Sequence, residues 1–221
     1  MNKSTLLCEK KGDMFIGLQG AKLAGGNPKD ERVEYDFYAT DPKAVEKLLL
    51  RHSINGNKIL EPCVGNGNIA DTIKKFYTNP LNITGVDIVN RGYPNTIVHD
   101  FLTWKTDEKF DCIITNPPYS LAGEFVEKSM ELLNDGYDED GQPNGQLIMF
   151  LKIQFLEGAK RKELFKKYPP KYIYVFRNRM ATWNNGEPLD PNGKRWATTM
   201  CHAWFVWEKG STAEPIIRWL D

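Results

Sequence analysis

The sequence predicts an α/β fold with a mostly parallel sheet of seven strands. Three observations predict it. Short apolar runs of strand length alternate with stretches patterned for helix. One apolar run, at residues 58–69, passes through a glycine turn straight into a helix. Polar residues suited to chemistry recur just after strands or at helix starts, the edge where open α/β sheets hold their ligands.

A chain of 221 residues suits one domain with a full core. We expect an N-terminal arm at 1–33, with a short strand near Met14, and one domain over 34–221. The first residues lack the apolar centre of a signal peptide, and no run is long enough to span a bilayer. A cytoplasmic protein is the expectation. Cys8, Cys63, Cys112 and Cys201 are scattered without a Cys-x-x-Cys pair, so neither a disulfide framework nor a metal site is expected. Net charge is zero, so any nucleic-acid contact must rest on a local patch.

In chain order, Tyr38-Ala39-Thr40-Asp41-Pro42 leads into a helix. Thr40 or Asp41 can cap it, Pro42 suits its first turn, and Ala44, Val45, Leu48 and Leu49 form its apolar stripe. Lys58-Ile59-Leu60-Glu61-Pro62 is the first strand of the main sheet. Gly65 and Gly67 follow it in a tight turn that is not Gly-x-Gly-x-x-Gly, so the dinucleotide fingerprint is absent. A second strand ends at Asp87-Ile88, where a carboxylate can hold ribose hydroxyls. A third, 96–102, ends in Asp100-Phe101. His99 reads as a neutral packed or surface residue.

The fourth strand, Cys112-Ile113-Ile114-Thr115, stops at Pro117-Pro118, which cannot donate to a sheet. A helix at 124–133 and an acidic loop at 134–144 precede a near-continuous apolar run, Gln146 to Leu151, read as a buried fifth strand. Residues 155–168 read as a helix with a basic face, either solvated or set against phosphates. Strands at 172–177 and 200–207 flank the loop 178–199, and the tail 214–220 is a candidate edge strand.

Asn116-Pro117-Pro118-Tyr119 resembles the catalytic motif of amino-methyltransferases that use S-adenosylmethionine (SAM), above all the DNA adenine-N6 methyltransferases. The resemblance spans roughly residues 35–207. Phe37-Tyr38-Ala39-Thr40-Asp41-Pro42 resembles the segment that lies against the methionine part of SAM in that family. Glu61-Pro62-Cys63-Val64-Gly65-Asn66-Gly67 resembles its SAM-binding motif. The fold implied is the Rossmann-like SAM-methyltransferase sheet, whose last strand runs antiparallel.

The resemblance implies SAM as cofactor, no metal, and DNA as partner, with RNA as an alternative. Tyr38, Thr40, Glu61, Pro62, Gly65, Gly67, Asp87, Ile88, Asp100 and Phe101 are the expected cofactor residues. Asn116, Pro117, Pro118 and Tyr119 are the expected catalytic residues. The Asn116 side-chain oxygen and the Pro117 carbonyl would accept from an exocyclic amino group, and Tyr119 would stack on its ring. The loop 178–199 would hang over the site. Its Arg179, Trp183, Asn184, Lys194, Arg195 and Trp196 suit an exposed base.

Sequence-specific members usually carry a sizeable target-recognition region, and none is evident here, so a specificity partner is one expectation. The motif also serves enzymes acting on RNA adenine or on the side-chain amide of protein glutamine. A non-catalytic adaptor with the same fold is the reading from another class. The intact set Glu61, Gly65, Gly67, Asp87 and Asn116 argues against it.

Overall fold

A computed structural model describes residues 37–137, 141 and 143–221. The expected arm at 1–33, with its strand near Met14, lies outside the described residues. The chain opens with strand β1 (Tyr38–Thr40) and helix α1 (Pro42–Leu49). Asp41, not Thr40, caps α1, its side chain accepting from Lys43 N at 2.9 Å. The predicted stripe Ala44, Val45, Leu48 and Leu49 is the buried face.

Then follow β2 (Lys58–Pro62), α2 (Asn68–Phe76), β3 (Asn82–Asp87), β4 (Ile97–Val98), β5 (Cys112–Thr115), α3 (Ala122–Leu132) and β6 (Gln146–Lys152). The chain closes with α4 (Lys162–Lys167), β7 (Tyr172–Phe176), β8 (Thr182–Asn184), β9 (His202–Glu208) and β10 (Ile216–Leu220). The main sheet has the order β10-β7-β9-β6-β5-β2-β3-β4. Every pairing is parallel except those of β9, which runs antiparallel to both β6 and β7. The expected seven strands are present, and the tail adds an eighth at the edge.

Two predicted elements are shorter than their pattern. The strand expected at 96–102 keeps only Ile97–Val98, because Asp100 turns the chain, its Oδ1 accepting from Leu102 N at 3.0 Å. The helix expected at 155–168 is broken at Gly158, which sits at φ +110°. Two 3-10 turns precede the six residues of α4.

The sheet is buried on both faces, which is why its central strands read as unbroken apolar runs. On β6, Leu147, Met149 and Leu151 pack to one face with Phe125, Val126 and Met130 of α3. Ile148 and Phe150 pack to the other with Ala44, Val45, Leu48 and Ile73 of α1 and α2. Two buried indoles fasten β9 on its two sides. Trp204 Nε1 donates to Ala44 O at 2.9 Å, and Trp207 Nε1 to Tyr168 O at 3.0 Å. Among the described residues no helix is long and apolar enough to cross a membrane, and no cluster of ligating side chains could hold a metal. Cys63, Cys112 and Cys201 are free thiols.

Candidate active site

The parallel strands β2, β3 and β5 end at one edge, and the predicted residues follow them there. Thr115 Oγ1, at the end of β5, donates to Pro62 O at the end of β2 in a buried bond. That bond ties the Asn-Pro-Pro-Tyr turn to the glycine turn. Asn116 Nδ2 donates to Tyr38 O at 2.8 Å. The amide therefore cannot flip without losing this bond, and its Oδ1 is left to accept. Pro118 O accepts from Leu121 N at 2.9 Å, closing the 3-10 turn that carries Tyr119.

Tyr119 is half-buried, and its hydroxyl is shut from solvent without a hydrogen-bond partner. Burial raises the pKa of this phenol, so it stays protonated. Lys152 Nζ lies 5.1 Å from the centre of its ring, and the His202 ring lies 5.9 Å away. His202 is 5% exposed, stacks on Phe150 at 4.8 Å, and has Nδ1 2.9 Å from Met180 O. A carbonyl can only accept, so Nδ1 carries the proton. Burial, helped by the charge of Lys152, lowers the His202 pKa to about 4, so the ring is neutral at pH 7.

Two buried acids stand under the glycine turn. Glu61 is 1% exposed and accepts from Ala70 N in the first turn of α2 at 2.9 Å. Burial raises its pKa well above the ordinary carboxylate range, and Asp71 and Asp87 add to this against the Ala70 bond and Lys74. Asp87 accepts from Gly65 N at 2.8 Å and from Val89 N at 3.0 Å. It thus shapes the turn, with the remaining lone pairs available to a ligand.

The space beside each turn glycine is occupied by an aromatic ring. A Cβ on Gly65 would meet Phe37 Cε2 at 2.6 Å, and one on Gly67 would meet Tyr93 Cδ2 at 2.4 Å. Both have positive φ, so a side chain is excluded twice over. Asp41 occupies the amino end of α1 as its cap. Thr40, freed from capping, is 2% exposed and its Oγ1 has no partner. Pro62 is buried, Ile88 is 56% exposed, and Asp100 is exposed. Phe101 packs into the core against Phe125 at 5.0 Å, so it supports the edge from beneath rather than presenting a face. His99 is exposed, with Nδ1 on Asp100 O at 2.9 Å.

The loop at 178–199 divides in two. Its first part reaches the site: β8 pairs antiparallel with β1, setting Asn184 opposite Tyr38 and Trp183 opposite Ala39. Tyr38 is the residue whose carbonyl holds Asn116. Asn185 N donates to Phe37 O at 3.1 Å. Met180 is anchored by His202, and Arg179 beside it is exposed. The second part is a hairpin fastened to itself. Asp190 Oδ1 accepts from Asn192 N and Lys194 N at 2.9 and 2.8 Å, and Trp196 Nε1 donates to Glu187 O at 2.6 Å. Lys194, Arg195 and Trp196 ride on that hairpin and not on the β1–β8 pair. Sequence reasoning missed Tyr93, Lys152 and His202 as site-shaping residues and took Phe37 only as part of the segment before α1. Lys152 and His202 meet across strand register, and no local motif marks Tyr93.

Residues 23–199 match the Eco57I restriction-modification methylase family. The chain belongs to that family. A type II methyltransferase, M.CvrRI of Paramecium bursaria Chlorella virus XZ-6E, is 41% identical over 101 residues, 41% of this chain and 26% of that protein. M.TthHB8I of Thermus thermophilus, also a type II methyltransferase, is 28% identical over 102 residues, 43% of this chain and 24% of that protein. The chain thus spans about a quarter of the length of these relatives. In fold it is similar to the methyltransferase subunit of a type I restriction-modification system from Streptococcus thermophilus. There the TM-score is 0.54 at 16% identity, covering 82% of this chain and 47% of that one. The architecture is the Rossmann-like methyltransferase fold.

Proposed function

We propose that this protein transfers a methyl group from SAM to an exocyclic amino nitrogen, adenine N6 in DNA. The observation that carries the reading is the Asn116 amide, whose Nδ2 is held by Tyr38 O so that its oxygen is left to accept. The residues present fit the cofactor. A buried carboxylate with a single backbone donor and a buried, unpartnered threonine hydroxyl flank the glycine turn. Both leave capacity that an amino-acid moiety would satisfy. Glu61 would meet its ammonium, with Tyr38, Thr40 and Pro62 beside it. Asp87 would take the ribose hydroxyls, and Ile88 and Asp100 the adenine end.

When bound, SAM supplies the electrophilic methyl. The chain's own residues position and polarise the acceptor. Asn116 Oδ1 and Pro117 O accept the two hydrogens of the amino group. This draws the nitrogen out of conjugation and localises its lone pair. Tyr119 stacks on the base. In-line placement supplies several kcal/mol, on the order of 7 or more in well-oriented systems. Neutral His202 and the protonated Tyr119 add no charge that would compete with the donor sulfonium. No strong base is needed, since the product ammonium loses its proton readily.

Trp183, Asn184 and Arg179 are the proposed base-side contacts. The hairpin carrying Lys194, Arg195 and Trp196 is the proposed outer contact. Recognition of a target sequence is assigned to a partner or to additional chain, as the greater length of the matched relatives supports.

The test is transfer of labelled methyl by wild type and Asn116→Ala to duplex DNA, single-stranded DNA, total RNA and a protein extract, followed by nucleoside analysis. N6-methyladenine in DNA that disappears with Asn116→Ala is expected. Label in RNA or in glutamine would reassign the substrate. SAM binding without transfer to any acceptor points to a missing partner, and no SAM binding at all points to the adaptor.

A further inference from the structure

We propose that Asn68 is a positioning residue for the methyl transfer, acting on Asn116 through strand β1. The inference rests on the reading of Asn116 as the amide that binds the acceptor.

Strand β1 lies outside the main sheet and is three residues long, so its place depends on what bonds its two edges. One edge faces β8. Asn185 N donates to Phe37 O at 3.1 Å, and the register sets Ala39 opposite Trp183. Hydrogen-bonded positions alternate along an antiparallel pair. Phe37 and Ala39 therefore turn their backbone groups to β8, and Tyr38 and Thr40 turn theirs away. The carbonyls on that second edge are met by two side-chain amides. Asn116 Nδ2 donates to Tyr38 O at 2.8 Å, and Asn68 Nδ2 donates to Thr40 O at 2.9 Å. A carbonyl only accepts, so in both amides the NH2 group faces the strand. The two carbonyls stand two residues apart, roughly 7 Å along an extended chain. A shift of β1 that breaks one bond strains the other.

Asn68 is placed for this role by its helix. Asparagine is among the preferred helix caps. Here the cap of α2 is Gly67, with no side-chain bond to the open amides, and Asn68 comes one step later as the first helical residue. From there its side chain leaves the helix and reaches β1. The base beneath it is fixed. Ile69 and Ala70 are buried, and Ala70 N donates to Glu61. Thr72 Oγ1 donates to Asn68 O at 2.6 Å. Helix α2 is thus held by other bonds, while the Asn68 amide serves the strand. Thr40 is 2% exposed, so little water is at hand to replace that amide. Without the Asn68 bond, β1 is free to follow β8, and the Tyr38 carbonyl no longer fixes where the Asn116 oxygen stands.

The experiment compares wild type, Asn68→Ala and Asn68→Asp in two readouts. Aspartate keeps the size of the side chain and suits a helix amino end, but its carboxylate cannot donate. The first readout needs no cofactor. It is solvent exchange of the Asn116 side-chain amide protons by NMR, their resonances assigned by their absence from Asn116→Ala. Both variants are expected to speed that exchange several-fold. The second is methyl transfer from labelled SAM. There kcat is expected to fall about tenfold, one neutral hydrogen bond's worth, with KM for SAM and for DNA unchanged. An Asn116 amide as protected as in wild type overturns the proposal. So does a loss confined to KM for SAM, which would make Asn68 a part of the cofactor turn alone. If Asn68→Ala does not fold by circular dichroism, Asn68→Asp carries both readouts. A wild type that methylates no acceptor rejects the functional reading, and the amide exchange still decides whether Asn68 holds Asn116.

Discussion

At the scale of residues, two side chains carry the proposed chemistry. In it Asn116 is useful because Tyr38 O removes its freedom to flip. Asn116→Asp keeps an acceptor but sets a carboxylate against that carbonyl. Methyl transfer is expected to fall about 100-fold, the scale of a small misplacement of reacting groups. Single-turnover assays with labelled SAM check this, and a wild-type rate would refute the positioning role.

Glu61 governs pH dependence. Its folded pKa is raised, so the carboxyl holds its proton at pH values where an ordinary carboxylate is ionised. A cofactor ammonium favours the ionised form. SAM binding should therefore release a proton, and affinity should rise as pH rises toward the Glu61 pKa. The cofactor-free fold has the opposite sign. Its share of stability from Glu61 is full below the unfolded carboxylate pKa and is lost as pH rises through the folded one. Calorimetry of SAM binding in two buffers of different ionisation enthalpy measures the proton. Glu61→Gln should abolish the release and weaken SAM binding. Heats independent of buffer would show that Glu61 keeps one protonation state throughout and would refute the linkage.

At the scale of elements, the strand-turn pattern was largely legible, and tertiary pairing was not. The helix cap at Asp41, the glycine turn and the proline stop after β5 each follow from one residue's backbone chemistry. The β1–β8 pair could not be read, because three-residue strands show no periodicity and their partners lie more than 140 positions apart. The same holds for the rings over the glycines. The sequence shows why Gly65 is needed for a turn, but not that Phe37 fills the space beside it. Phe37 also borders Gly186, where a Cβ would meet Asn66 Nδ2 at 2.8 Å and Phe37 Cε1 at 3.2 Å. Gly186 has φ +78°. Gly186→Ala should thus strain the turn by about 1–2 kcal/mol and loosen β8 from β1. Hydrogen exchange at the Asn185 amide, bonded to Phe37 O, is expected to speed up while the central β5 and β6 amides stay protected. Equal protection in the variant would show that the glycine turn and the loop are not mechanically joined.

At the scale of the molecule, the sheet is what brings the candidate site together. Its edge collects Glu61, Asp87 and Lys152 from three strands and Asn116 from just beyond a fourth. The strand order brings β2, β3, β5 and β6 side by side although long segments of chain separate them. The antiparallel β9 then adds His202 next to Lys152. This strand also joins the two faces. Trp204 anchors it to α1 on one side, and Trp207 anchors it to the end of α4 on the other. Both rings are fully buried, in the two separate halves of the core. Replacing either by Phe deletes one hydrogen bond and part of a buried ring, a loss of about 1–3 kcal/mol each. The two side chains share no partner, so the costs should add. Urea unfolding of Trp204→Phe, Trp207→Phe and the double variant tests this. Additive losses at constant m-value mean that both faces unfold as one unit. A double variant with a split transition would mean that the α1–α2 layer can leave the sheet by itself, and the cofactor edge with it.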